Sequence, residues 1–180
     1  MAHEAVIGMG SNMGKSLQIL HAAWLALHEH PDIAPLVLSS PYRSQPVGMD
    51  SNRWFINAVA LVHSRLSPFN LLQVLQAIEN RHGRRRSPQA SGYQDRTLDL
   101  DLLLYDDRIL RTPHLVLPHP RLTQRRFVLE PLCEIAADRI HPISRIPLRS
   151  LLLDGEKELF HQHVEKVSWG IAGGGPSSRE

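Results

Sequence analysis

Hydrophobic and polar positions alternate along this chain with two different periods, and the switches between them predict its elements. Residues 5–10 (Ala-Val-Ile-Gly-Met-Gly) form a short apolar run ending in glycines, read as a buried strand, with Ser11 or Asn12 placed to cap a following helix. From 16 to 30, Leu17, Leu20, Trp24 and Leu27 or His28 recur at helical spacing, and Pro31 and Pro35 close the segment. Residues 36–40 read as strand. Residues 41–51, with Pro46, Gly48, Asp50 and Ser51, read as loop. Over 54–63 the period is two: Phe55, Asn57, Val59 and Leu61 share one face, and Trp54, Ile56, Ala58 and Ala60 the other. Ser67-Pro68 opens a second helix that runs through Leu71, Leu72, Leu75 and Ile78 to about Arg81. A polar, arginine-rich loop over 83–95 precedes a leucine-rich strand, residues 106–126 with Pro113, Pro118 and Pro120 are mostly loop, and 127–135 is a helix.

The resulting order is β-α-β-β-α-β. It predicts an α+β sandwich of the ferredoxin-like kind, a mostly antiparallel sheet flanked by helices. No internal repeat is evident. Residues 1–152 are expected to form the functional domain and 153–180 a C-terminal extension, partly helical and partly disordered, ending in a Gly/Ser/Pro-rich stretch at 173–178.

Composition narrows the setting. The chain has 180 residues, 42% of them hydrophobic, enough for one real core. A single cysteine, Cys133, rules out an intrachain disulfide and suits a reducing cytoplasm. No apolar run approaches the roughly 20 residues that span a bilayer, and the N-terminus lacks the basic start and long apolar core of a signal peptide. Net charge is only +2, but Arg81, Arg84, Arg85 and Arg86 form one basic cluster and Arg121, Arg125 and Arg126 another. Such clusters suit a polyanion, or are simply solvated basic faces.

The most informative chemistry lies between those clusters. In the run Asp95-Arg96-Thr97-Leu98-Asp99-Leu100-Asp101-Leu102, strand alternation puts Asp99 and Asp101 on one face and the leucines on the other. Paired carboxylates repel each other and resist desolvation, and a hard divalent cation offsets both effects. A wet acidic strand face is the bland alternative. A second feature misleads: residues 8–16, Gly-Met-Gly-Ser-Asn-Met-Gly-Lys-Ser, hint at a phosphate-binding P-loop. The first glycine that pattern requires falls on Met9, so a tight strand-to-helix turn is the better reading.

Several blocks together resemble one family. They are residues 5–14, 39–44 (Ser-Ser-Pro-Tyr-Arg-Ser), 55–58 (Phe-Ile-Asn-Ala), 95–103, 117–121 (Leu-Pro-His-Pro-Arg) and 125–132 (Arg-Arg-Phe-Val-Leu-Glu-Pro-Leu). Over about residues 5–152 the chain resembles the 6-hydroxymethyl-7,8-dihydropterin pyrophosphokinases. The resemblance implies transfer of pyrophosphate from ATP to the hydroxymethyl group of a reduced pterin, giving AMP and the pterin diphosphate in folate biosynthesis, with two Mg²⁺ ions. It implies Asp99 and Asp101 as metal ligands, with Arg84 and Arg96 as catalytic arginines. It implies ATP contacts from Gln76, Glu79, Arg84, Arg86, Tyr93, Arg96, His119 and Arg125. Phe55 and Phe127 are implied as the rings that sandwich the pterin, with Asn57 and the backbone around Ser44, Gln45, Pro46 and Val47 on its edge. Residues 83–95 resemble a loop that closes over the substrates. Pro120 departs from the aromatic residue some members carry there. The expected partners are small molecules only, with no nucleic acid and no membrane, and the expected state is a monomer.

Two other readings compete. A basic nucleic-acid-binding module of the same fold explains the arginines but not the paired aspartates. Another Mg²⁺-dependent nucleotidyl or phosphoryl transferase explains the aspartates but does not require Phe55, Asn57 and Phe127 together.

Overall fold

Two glycines in the first strand decide where this fold is open. In the computed structural model, which describes residues 1–48, 51–83, 95–155, 159 and 161–170, β1 (His3–Ser11) runs through the middle of an antiparallel sheet. It pairs with β4 (Phe55–Ser64) on one side and β5 (Asp99–Tyr105) on the other. Ala5, Ile7 and Met9 face one way; Val6, Gly8 and Gly10 face the other.

The first face carries the larger core. Two helices, α1 (Ser16–His28) and α2 (Pro68–Arg81), cover it through Leu20, Ala23, Leu27, Leu71, Leu75 and Ile78, packed on Ala58, Ala60, Val62, Leu98, Leu100 and Leu102. Fully burying each of these leucines contributes about 1.5–3 kcal/mol. Ser67 caps α2, its hydroxyl accepting from Asn70 N, and Pro68 occupies the first turn as expected. The N-terminus of α1 differs from expectation. Lys15, not Ser11 or Asn12, holds the cap position, without a side-chain cap. Ser11 Oγ bonds Ser16 Oγ at 2.9 Å, and Asn12 is engaged elsewhere.

On the second face the helices α3 (Arg126–Ala136) and α4 (Leu148–Asp154) add a third layer. They bury Leu129, Leu132 and Leu148 against Val6, Val59, Leu103 and Leu104. Leu103 and Leu104 share that cluster because a register shift opposite Val6/Ile7 turns consecutive residues of β5 to the same side. The apolar cover stops there. Beyond Val6 the face carries Gly8, Gly10, Asn57, Asp99 and Asp101, a half-sheet that no hydrophobic core can fill.

The remaining strands complete the sheet in the order β5-β1-β4, with β2 (Ile33–Leu38) on one end of long β4 and β3 (Tyr42–Ser44) on the other. This is the βαββαβ sandwich expected, with three local corrections, the first being that β3 falls inside the stretch 41–51 read as loop. Pro35 does not stop a helix: α1 ends at His28, and Pro35 lies in β2, at a register shift where a missing donor is tolerated. The stretch read as loop over 106–126 holds a small hairpin, β6 (Leu110–Arg111) with β7 (Val116–Leu117), and a 3-10 turn at Leu122–Gln124. Past α4, the chain returns to the sheet as β8 (Val164–Lys166), paired with β3.

Candidate active site

The open half-sheet is the floor of a cleft. Gly8 and Gly10 line it from β1, where a side chain would crowd its neighbours. A Cβ on Gly10 would sit 3.2 Å from Asn57 Oδ1, and one on Gly8 3.2 Å from the Leu103 side chain. Both glycines lie in the strand ladder, opposite Val59 and Asp101 (Gly8) and Asn57 and Asp99 (Gly10). Their amides belong to a sheet, not to a phosphate-cradling nest, which disposes of the P-loop reading.

Asp99 and Asp101 rise from β5 into this cleft on the same face, as alternation predicts. Arg96, from the turn before β5, donates from Nη1 to Asp99 Oδ2 at 2.7 Å. Arg125 Nη1 lies 3.9 Å from Asp101 Oδ2. Arg125 enters from the start of α3, and its guanidinium sits 5.6 Å from the centre of the Phe127 ring. Each carboxylate thus has an arginine beside it.

The cleft also has an apolar lining with polar groups beside it. Phe55 from β4 and Phe127 from α3 both line it, above Val59, Leu103 and Val128. Buried Asn57 donates from Nδ2 to Ser44 Oγ at 2.9 Å. Ser44, Gln45 and Val47 form the rim. Pro46 does not line the cleft.

His119 stands behind the carboxylates. Its ring accepts at Nδ1 from Arg121 N at 3.1 Å, so the proton of the neutral form resides on Nε2. Burial, with Arg125 and Arg121 adding to it and Asp99 opposing, pulls its pKa down to about 4. It is a neutral donor at physiological pH. Gln76 and Glu79 of α2 lie outside the cleft lining. Glu79, fully buried, accepts from Leu100 N at 2.7 Å and so satisfies the outer edge of β5 directly beneath the aspartates. Arg84, Arg86 and Tyr93 fall outside the described residues.

Three features escaped the sequence reading. The glycine floor needs the β1 register, which no local pattern supplies. Asp95 joins three loops: its Oδ1 accepts from Asn12 Nδ2 at 2.6 Å and from Ser51 Oγ at 2.7 Å, while Arg96 N donates to Asn12 Oδ1 at 2.8 Å. Glu134 of α3 accepts from Ser40 N, Ser40 Oγ and Tyr42 Oη at 2.8–2.9 Å. Burial and that bond push the Tyr42 hydroxyl well above its usual pKa.

An antiparallel α+β sandwich with paired carboxylates, flanking arginines and an apolar slot on one open half-face has the parts of a phosphoryl-group transferase. Comparison with known proteins makes the class definite. A model of the 7,8-dihydro-6-hydroxymethylpterin-pyrophosphokinase family matches residues 6–137. The 2-amino-4-hydroxy-6-hydroxymethyldihydropteridine pyrophosphokinase of Haemophilus influenzae is 41% identical over 142 residues, 79% of this chain and 87% of that one. The enzyme of the same name from Bacillus subtilis is 39% identical over 135 residues, 75% of this chain and 79% of its own. Among solved structures, wild-type HPPK-DHPS of Plasmodium falciparum with pteroate aligns at a TM-score of 0.70 and 13% identity. It covers 88% of this chain, which spans only 45% of that longer one, and the likeness speaks to the fold alone. The chain belongs to the 7,8-dihydro-6-hydroxymethylpterin-pyrophosphokinase family, whose members are ATP-dependent pyrophosphoryl transferases.

Proposed function

We propose that this protein transfers the terminal pyrophosphoryl group of ATP to the hydroxymethyl oxygen of 6-hydroxymethyl-7,8-dihydropterin. The products are AMP and the pterin diphosphate, formed in the cytoplasm as a step of folate biosynthesis, and the reaction depends on Mg²⁺. The observation that carries the reading is the meeting, in one cleft, of an aromatic slot with an amide edge and a carboxylate pair flanked by arginines.

The pterin lies flat between Phe55 and Phe127, each face contributing on the order of 1 kcal/mol beyond burial. Asn57 and the rim at Ser44, Gln45 and Val47 meet its polar edge and turn the hydroxymethyl arm toward the aspartates. Attack of that oxygen on the β-phosphorus forms one P–O bond. The bond from the β-phosphorus to the α,β-bridging oxygen breaks, AMP leaves with that oxygen, and the hydroxyl proton passes to solvent. The chain's task is alignment and charge neutralisation. Arg96 and Arg125, with Arg84 and Arg86, donate to phosphate oxygens. Neutral His119, Tyr93, Gln76 and Glu79 complete the nucleotide side, Glu79 through the strand edge it holds.

The donor set fits Mg²⁺. Among the described residues no three His, Cys, Asp or Glu side chains converge. Two carboxylates plus substrate phosphates are what this hard, reluctantly dehydrated ion takes. Asp99 and Asp101 would hold two such ions, which supply neutralisation of the triphosphate and acidification of the attacking hydroxyl.

The test is AMP release measured with ATP and 6-hydroxymethyl-7,8-dihydropterin, with Mg²⁺ and with excess EDTA. Release that needs both pterin and Mg²⁺ is expected. AMP release indifferent to the pterin would overturn the substrate assignment, and full activity in EDTA the metal assignment.

A further inference from the structure

Helix α3 begins without a cap of its own. Arg125 occupies its cap position and offers no side-chain acceptor. The missing acceptor comes from thirty-six residues downstream: Arg126 N donates to Gln162 Oε1 at 2.9 Å. The same carboxamide donates from Nε2 to Gln124 O at 2.9 Å. Gln162 therefore holds the chain on both sides of Arg125, and its bond to Arg126 falls one residue before Phe127.

The next residue holds the opposite wall. His163 O accepts from Gln45 N at 3.3 Å. The strand β8 then pairs Val164 with Ser44, Glu165 with Arg43 and Lys166 with Tyr42. Val167 N closes the strand on Pro41 O at 2.9 Å. Since β3 pairs Ser44 with Phe55 and Tyr42 with Asn57, β8 bears on the wall that carries Phe55 and Asn57. Lys166 Nζ reaches Glu134 Oε2 at 3.2 Å, tying β8 to the far part of α3 as well. One short segment spans the two walls of the aromatic slot.

We propose that Gln162 is a positioning residue for the pterin, and that the segment 162–167 is a strap setting the separation of the Phe55 and Phe127 walls. This rests on the pterin reading above. A stacked ring is sensitive to that separation: opening a contact by 0.5–1 Å forfeits about a quarter to a half of its dispersion attraction. A nucleotide held by charge across Arg96, Arg125 and the aspartates is far less sensitive. Loosening the strap therefore weakens pterin binding selectively.

The geometry separates the two bonds of Gln162. Gln162→Met keeps the length of the side chain and removes both. Gln162→Glu keeps the acceptor for Arg126 N, favourably placed at a helix N-terminus, and loses the bond to Gln124 O. Calorimetric titration of the full chain with 6-hydroxymethyl-7,8-dihydropterin, in Mg²⁺ and saturating α,β-methylene-ATP, reads the effect. The analogue is titrated separately, and Tm is recorded. Gln162→Met is expected to weaken the pterin about tenfold while the analogue stays within about twofold, and Gln162→Glu to recover most of the loss. Unchanged pterin affinity in Gln162→Met overturns the proposal. So does a parallel loss of both ligands that tracks a lowered Tm, which is the signature of a merely structural contact. Pterin that fails to bind the unmutated chain removes the substrate assignment and the strap together, and that outcome is distinct from the other two.

Discussion

Arg96 and Asp99 form an ion pair, 2.7 Å from Nη1 to Oδ2, in which both side chains are more than four-fifths buried (15% and 17% exposed). In the proposed reaction, a carboxylate so placed is aimed and partly desolvated before the nucleotide arrives. Its energy is not counted as fold stability, since a pair of this kind about breaks even against its desolvation. Its value lies in position. Asp99→Asn keeps the shape and removes the charge, and Asp101→Asn does the same one strand repeat further on. Each is expected to lower kcat by at least about a thousandfold, the scale of losing a charge that acts in the transition state. Circular dichroism should stay native. Turnover near the unmutated rate in either variant contradicts the metal assignment.

His119 gives a prediction in pH. Burial, chiefly, with Arg125 and Arg121, pulls its pKa from 6.5 to about 4. The unfolded chain therefore binds the extra proton first. The contribution of this residue to stability is complete above about 6.5 and falls away as pH drops from there toward 4. Between pH 7 and 8 it is constant. The imidazole Cε1–H resonance assigned to His119 should titrate near 4. A midpoint at 6.5 or above denies the neutral-donor role. His119→Ala should raise the KM for ATP about tenfold with no new pH dependence between 6.5 and 8.

How much of this was readable beforehand follows from the range of each interaction. Phe55, Asn57 and Val59 share a face because strand period is two, and a ten-residue strand states it clearly. Asp99 and Asp101 share a face for the same reason. That their face is open cannot be read there, since it depends on Gly8 and Gly10 arriving opposite through pairing some ninety residues away in sequence. The glycines instead looked like a turn. The resemblance implied a nucleotide contact for Glu79; that its carboxylate also accepts from a backbone amide at the sheet edge needed the β5 pairing to be seen. Gln162 and Asp95 gave no local signal: each is a polar residue whose meaning lies in a distant partner. Beyond residue 152 apolar periodicity is weak, so β8, three residues long and held by backbone bonds to β3, left almost no trace.

Under the proposed function, Asn57 joins fold and specificity. Its Nδ2 is committed to Ser44 Oγ, buried, while its Oδ1 faces the glycine floor at Gly10. Asn57→Ala leaves Ser44 without that bond and the pterin edge without an amide, a loss of about 1–3 kcal/mol. The expected result is a pterin KM raised between about fivefold and a hundredfold, with kcat changed less. The alternative, equal loss in kcat and kcat/KM with pterin KM unchanged, would move Asn57 from substrate recognition to the transition state.

The last prediction concerns Asp95, where three loops meet. Its carboxyl is held below the ordinary carboxylate pKa, first by the Ser51 hydroxyl, then by the Asn12 amide and the charges of Arg53 and Arg96, against the opposing effect of burial. The sign follows directly: a depressed carboxylate adds stability that is full above its unfolded value near 3.9 and is lost as pH falls through the lower folded value. At neutral pH the junction is intact. Since Asn12 also accepts from Arg96 N, releasing Asp95 frees the main chain that aims Arg96 at Asp99. Asp95→Ala should therefore slow kcat about three- to tenfold, with little change in pterin affinity. Asp95→Asn, whose amide oxygen still accepts from Ser51 and Asn12, should recover most of that rate. If Asp95→Asn is as slow as Asp95→Ala, the charge rather than the hydrogen-bonded geometry is what the site requires. If neither variant is slow, Arg96 is aimed by contacts other than this junction.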